Sequence, residues 1–165
     1  TDGPASELAD LFRQSAGRTG RGLNIFLVRS ITAGGGGFRA LGIAGGIPGP
    51  VGIHGTYHSG VVSSFDTGVV GSGMTGSNVV GHILAHEIGH YVGLYHSTEQ
   101  ARPCGPGENP VDDTCSAFGG GDQLMDTALG DLTNLLYWSI VGGGTNTTLT
   151  AGQGHVFRMS AMIHD

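Results

Sequence analysis

Lysine is absent from this 165-residue chain, whose basic side chains are seven arginines set against 13 acidic residues, for a formal charge of −6. A basic face for phosphate recognition is therefore missing, which argues against nucleic-acid binding. Without lysine, and with no G-x-x-x-x-G-K, a P-loop is excluded. Long hydrophobic runs are absent too. No stretch approaches 18 apolar residues, so no membrane span is expected. The opening Thr1-Asp2-Gly3 lacks a basic region followed by an apolar one, so any signal peptide or pro-segment is expected to lie outside this chain or to have been removed. Cysteine is scarce. Cys104 and Cys115 form no C-x-x-C pair, which sets aside zinc-ribbon and thioredoxin-type readings. Proline is also sparse, with 6 residues, and the abundant glycine (33 residues) has no G-X-Y period, so collagen is excluded. Charged residues make up 12% and hydrophobic ones 38%, a balance that fits neither a disordered acidic tail nor a coiled coil.

What remains suits one domain over residues 1–165 with many turns and long loops. An amphipathic helix is expected over 5–16, with Leu8, Leu11 and Phe12 on one side and Asp2 or Ser6 as its cap. Residues 23–31 (LNIFLVRSI) read as a strand, with a short strand near 40–44 and a weaker one at 60–65. A second helix is expected from an N-cap at Ser77-Asn78 to about Val92, with Val79, Val80, Ile83, Leu84, Ile88, Tyr91 and Val92 as its apolar set. Residues 97–133 read as acidic loop, and 150–163 as a final helix. The order gives an α+β chain with a long irregular C-terminal third.

The chemistry is concentrated in His86-Glu87-Ile88-Gly89-His90-Tyr91-Val92-Gly93-Leu94-Tyr95-His96. Four residues apart on a helix, His86 and His90 lie one above the other and can share an ion at about 2.0–2.1 Å. Glu87 is turned about 100° away, which places it beside an ion rather than on it. His96 lies roughly 240° round a continued helix and reaches the pair only if the helix stops first. Gly93 is where a left-handed φ would stop it. A chance match to H-E-x-x-H-x-x-G-x-x-H in this composition has odds on the order of one in ten thousand. His82, one turn before His86, is expected at the surface or behind the ligands. His54 and His58 stand in a loop region and could line a cleft or bind a second metal, as scattered loop histidines seldom do.

These residues match the elongated zinc motif of the metzincin clan of zinc endopeptidases, which the chain resembles at every fixed position. The resemblance implies zinc on His86, His90 and His96, with Glu87 as general base and acid. It also implies a metzincin-like catalytic domain: a small twisted mixed sheet, a zinc-site helix above the cleft and a C-terminal helix below it. The upper part would cover about 1–93 and the lower part about 94–165. Substrate would be a protein or peptide bound extended in the cleft, with 60–65 as the edge strand that pairs with it. The chain would act as a monomer, secreted and extracellular.

HEIGHYVGLYH followed by Val111-Asp112-Asp113-Thr114 and two cysteines is most similar to the pappalysin branch and related bacterial secreted proteases, although Ser97 after the third His is the matrixin residue. That branch implies a disulfide and calcium in the acidic loop. A disulfide between Cys104 and Cys115 is the preferred reading, with two free thiols as the alternative; paired, they would close a loop worth roughly 2.5–3 kcal/mol in the chain-entropy model. Glu108, Asp112, Asp113 and Thr114 could ligate calcium or form a solvated acidic turn. The clan also expects a methionine turn beneath the metal. Met125 supplies the residue type, whereas Leu136 has the better distance to the last helix and would place Tyr137 or Trp138 near the metal. Two other readings stay open: a non-catalytic zinc-stabilised interaction module, and a zinc hydrolase of a non-peptide substrate. A purely structural site would have no use for a base beside the metal.

Overall fold

The computed structural model describes residues 6–33, 38–66, 76–98, 102–103, 106, 115–116, 121–140 and 146–163. Helix α1 (Glu7–Arg13) begins at Ser6, whose hydroxyl accepts the Ala9 amide at 3.2 Å. Its buried Phe12 packs on Phe26 with ring centroids 5.6 Å apart. The expected strand at 23–31 is shorter. It forms β1 (Ile25–Val28), after which the chain bends at Arg29-Ser30 and enters β2 (Ile31–Ala33), paired antiparallel with β3 (Phe38–Ala40). The bend is held from outside the strand, because the Arg29 carbonyl accepts from the Asp66 amide and the Ser64 hydroxyl.

A three-stranded sheet positions the site. Its order is β1, then β5 (Val61–Ser64), then β4 (Gly42–Ala44), with β1 and β5 parallel and β4 antiparallel to β5. The segment expected to be the substrate-pairing edge is thus the middle strand. All four residues of β5 are buried, and a strand paired on both sides has no edge to offer. The edge nearest the site is β4.

Helix α2 (Gly76–Tyr91) lies against β4 and β5 and buries Val79 and Ile83, while Val61 and Val62 of β5 are buried on opposite faces of the sheet. Each such side chain contributes roughly 1.5–3 kcal/mol of burial. Ser77 and Asn78 fall inside the first turn of α2 rather than capping it, so the helix starts earlier than the Ser-Asn pair suggests.

Below α2, Val92, Leu94 and Leu136 form a second core with Ile88, Leu135, Val156, Phe157 and Met162 packed round it. Helix α3 (Ala151–Met159) starts with a capping box in which Thr150 and Gln153 satisfy each other's amides. Gln153 is fully buried and tied to Asn134 and Asp122, each at 2.8 Å, which anchors the helix to the irregular segment before it. The helix ends at Met159, short of the expected 163. Ser160 turns extended and its hydroxyl accepts the Met162 amide, the local competition that disfavours serine inside helices. The result is a small α+β domain with three helices among the described residues. Two two-residue strands, β6 (Arg102–Pro103) and β7 (Cys115–Ser116), pair in parallel. Cys104 and the candidate calcium ligands Glu108, Asp112, Asp113 and Thr114 lie outside the described residues, and of Cys115 only the backbone is described.

Candidate metal centre

Three imidazoles meet at the C-terminal half of α2. One ligand nitrogen from each of His86, His90 and His96 lies within 4.8 Å of the others. Nε2 of His86 stands 3.0 Å from Nε2 of His90 and 3.2 Å from Nε2 of His96. Tetrahedral ligation at about 2.0–2.1 Å would hold such nitrogens about 3.3 Å apart, so the set matches that spacing with little adjustment.

The tautomers follow from the partners on the opposite ring nitrogens. Nδ1–H of His86 donates to the Leu135 carbonyl at 2.7 Å, and Nδ1–H of His90 donates to the Leu94 carbonyl at 2.7 Å. A carbonyl only accepts, so both protons sit on Nδ1 and both Nε2 lone pairs face the centre. Lone pairs brought together at such distances repel unless a cation lies between them.

His96 joins because the helix stops. Gly93 has φ +115°, its amide donates to His90 O, and the Leu94 amide donates to Gly89 O, the paired bonds of a Schellman ending. The chain then turns back, and the His96 ring comes within 4.6 Å of His90, centroid to centroid.

Glu87 sits on the next face of α2. It is 8% exposed, and the Ala44 amide of β4 hydrogen-bonds its carboxylate. Burial pushes its carboxyl up to about 8, which the Ala44 bond only partly opposes. His86 moves the other way. Burial, then the neighbouring His90 and His96, bring it down to about 3, while the bond to Leu135 opposes the shift. Imidazoles that resist protonation are suited to a cation, since a ligating His must be neutral.

These two shifts predict a stability profile for the metal-stripped protein. Between pH 8 and 4.5 the folded state holds a Glu87 proton that the unfolded chain has released, so stability rises as pH falls. Between pH 6.5 and 3 the unfolded chain takes up a His86 proton that the folded state refuses, so stability falls with pH. Each contributes a slope of about 1.4 kcal/mol per pH unit. They oppose each other between 4.5 and 6.5. The expected outcome is a flat optimum there, with losses on either side, measured as urea midpoints in chelator; a midpoint rising steadily to about pH 9 would contradict it.

Met125 is fully exposed, whereas Leu136 is completely buried. Leu136 lies directly under α2, where a Cβ on Gly89 would come 3.1 Å from its Cδ2. Above it opens a cavity of about 490 Å³, bounded by β4, α2 and residues 137–140, with Tyr137 and Trp138 both on its wall. His82 is on that wall as well and is buried, not on the surface. His54 has a structural post, bonding Asn24 at 2.8 Å and the Gly20 carbonyl at 2.9 Å, and His58 bonds the Gly45 carbonyl. Neither belongs to the metal cluster. The short strand expected near 40–44 is present as β4, but nothing in its sequence marks the part it plays, which is to supply the amide on Glu87 and one wall of the cavity.

Comparison with protein families matches residues 24–120 to the dual-action HEIGH metallo-peptidase family. The match covers 97 of the 165 residues and includes the whole triad and Glu87. The chain belongs to that family. It is accordingly a metallopeptidase of metzincin type, and the α+β architecture above agrees with that assignment. Searches of curated proteins and of solved structures returned no match.

Proposed function

We propose that this HEIGH metallo-peptidase is a zinc endopeptidase, with zinc held by His86, His90 and His96 and the proton moved by Glu87. The observation that carries the reading is the convergence of three Nε2 atoms, two of them fixed by Nδ1–H bonds to carbonyls, beside a buried carboxylate in an open cavity. An all-imidazole set suits zinc among the divalent ions available to such a site. When bound, zinc supplies a Lewis acid that polarises the scissile carbonyl and makes water acidic enough to lose a proton near neutral pH.

The chain's own residues do the rest. Glu87 takes the proton of the attacking water and delivers it to the departing amine. Its burial raises proton affinity, which favours both halves of that task, and the Ala44 amide holds the carboxylate in place. β4 is an edge strand with one side unpaired among the described strands, so an extended substrate can lie along it as a further strand. A peptide so placed runs past Glu87 and the triad, because β4 itself lines their cavity.

Metal analysis with peptide-library cleavage tests the reading. One zinc per chain, cleavage abolished by chelator and restored by zinc, is expected. Zinc binding with no cleavage of any peptide would overturn the endopeptidase assignment, and absence of zinc would overturn the ligand set.

A further inference from the structure

Trp138 is the chain's single tryptophan, and 40% of it is exposed on the wall of the cavity that holds the triad. Its ring lies beside that of Tyr137, with centroids 5.9 Å apart, so the two form an aromatic wall. Leu41 and Ile43 contribute from the β4 side, Ile83 from α2, and Ile140 from the segment that carries Trp138. Most of the surface exposed in the cavity is apolar. Covering such walls with apolar atoms removes them from water and adds dispersion contacts.

The polar groups on the wall are committed elsewhere. The Arg39 guanidinium is directed to Asp66, 3.5 Å away, and Glu87 and the three imidazoles form the reacting centre. Asn146 is fully buried and its Nδ2–H donates to the Ser139 carbonyl at 3.1 Å. A charged side chain entering here would lose its water to an apolar wall. A small one would leave much of a cavity of about 490 Å³ unfilled. A large apolar or aromatic side chain avoids both costs.

We propose that this cavity receives a large apolar or aromatic side chain from a substrate residue flanking the bond to be cut, and that Trp138 is the specificity-determining residue packed against it. The inference rests on the endopeptidase reading above. Its position follows from strand geometry. A peptide laid along β4 passes Glu87, and successive side chains of an extended chain point to opposite faces, so one of the two flanking residues turns towards the cavity.

Matched peptides differing only in Phe, Leu, Ala, Glu or Arg at each flanking residue provide the first test. With the zinc-loaded enzyme, kcat/KM is expected to favour Phe and Leu over the other three by about ten- to hundredfold at one of these positions. Trp138→Ala should lower the Leu:Ala ratio there by about fivefold with zinc content unchanged, and Trp138→Phe should keep most of it. A wild-type preference for Ala, Glu or Arg at both positions would overturn the proposal while leaving the peptidase reading intact. So would an unchanged Leu:Ala ratio in folded, zinc-loaded Trp138→Ala. If that variant does not fold, fluorescence decides, because Trp138 is the sole indole. Saturating zinc-loaded Glu87→Gln with the Leu peptide should shift its emission to the blue as the ring loses water. No shift at saturation would refute the contact. Failure of the wild type to cleave any peptide would remove the peptidase reading itself, and the proposal with it.

Discussion

Glu87→Gln is expected to slow peptide hydrolysis by about 10²–10⁴-fold while the protein still binds one zinc per chain. Glutamine keeps the shape and can still accept the Ala44 amide through its carbonyl oxygen, but it cannot take a proton from water. Zinc retention is expected because the three ring nitrogens come from other residues, two of them fixed by the Leu135 and Leu94 carbonyls rather than by Glu87. The variant should also be more stable than the wild type above pH 8 when stripped of metal. There the wild type must either ionise a buried carboxyl, whose own value is about 8, or keep its proton against solvent. Steady-state kinetics with metal analysis decides the first point. Hydrolysis within about threefold of wild type would sink the assignment of Glu87.

The second large effect is expected from a residue that carries no chemistry. A Cβ added to Gly42 would lie 2.6 Å from Glu87 Cγ, 2.7 Å from Glu87 Oε1 and 2.7 Å from Ile83 Cγ2. Glycine at this position lets strand β4 approach α2 closely enough for the Ala44 amide to reach the carboxylate. Gly42→Ala must push either the strand or Glu87 aside. A displacement of about 1 Å at a catalytic group can cost on the order of 10²-fold in rate. Turnover is therefore expected to slow by one to two orders of magnitude with zinc binding retained, and the melting temperature to drop from the strain between β4 and α2. Wild-type turnover in a folded Gly42→Ala protein would show that the two elements can separate without moving Glu87.

The contrast between these two positions shows where local pattern stops being informative. Glu87 is marked by its place between His86 and His90, a spacing visible in the chain. Gly42 is one of 33 glycines, and nothing near it in sequence singles it out. Its role comes from a residue 45 positions later. The same limit explains the strand at 60–65. Its apolar and small residues mark it as β structure, but a strand's rank in a sheet depends on its partners. Val61 pairs with both Ile25 and Ala44, and so lies in the middle. The candidates at 125 and 136 behave alike: Met125 has the residue type, whereas Leu136 has the buried place beneath Gly89.

The sequence by itself determined that the three candidate ligands, His86, His90 and His96, come together. Helical periodicity and the left-handed preference of glycine act over one or two turns, so the stacking of His86 on His90 and the break at Gly93 that returns His96 are written in eleven consecutive residues. Only the tertiary structure decided how that set is tuned. The carbonyl of Leu135, 49 residues from His86, fixes its tautomer; the Ala44 amide holds Glu87; and packing buries His82. Hydrogen-bond partners, desolvation and sheet rank are properties of chain segments brought together by the core, and no local period records which segments those will be.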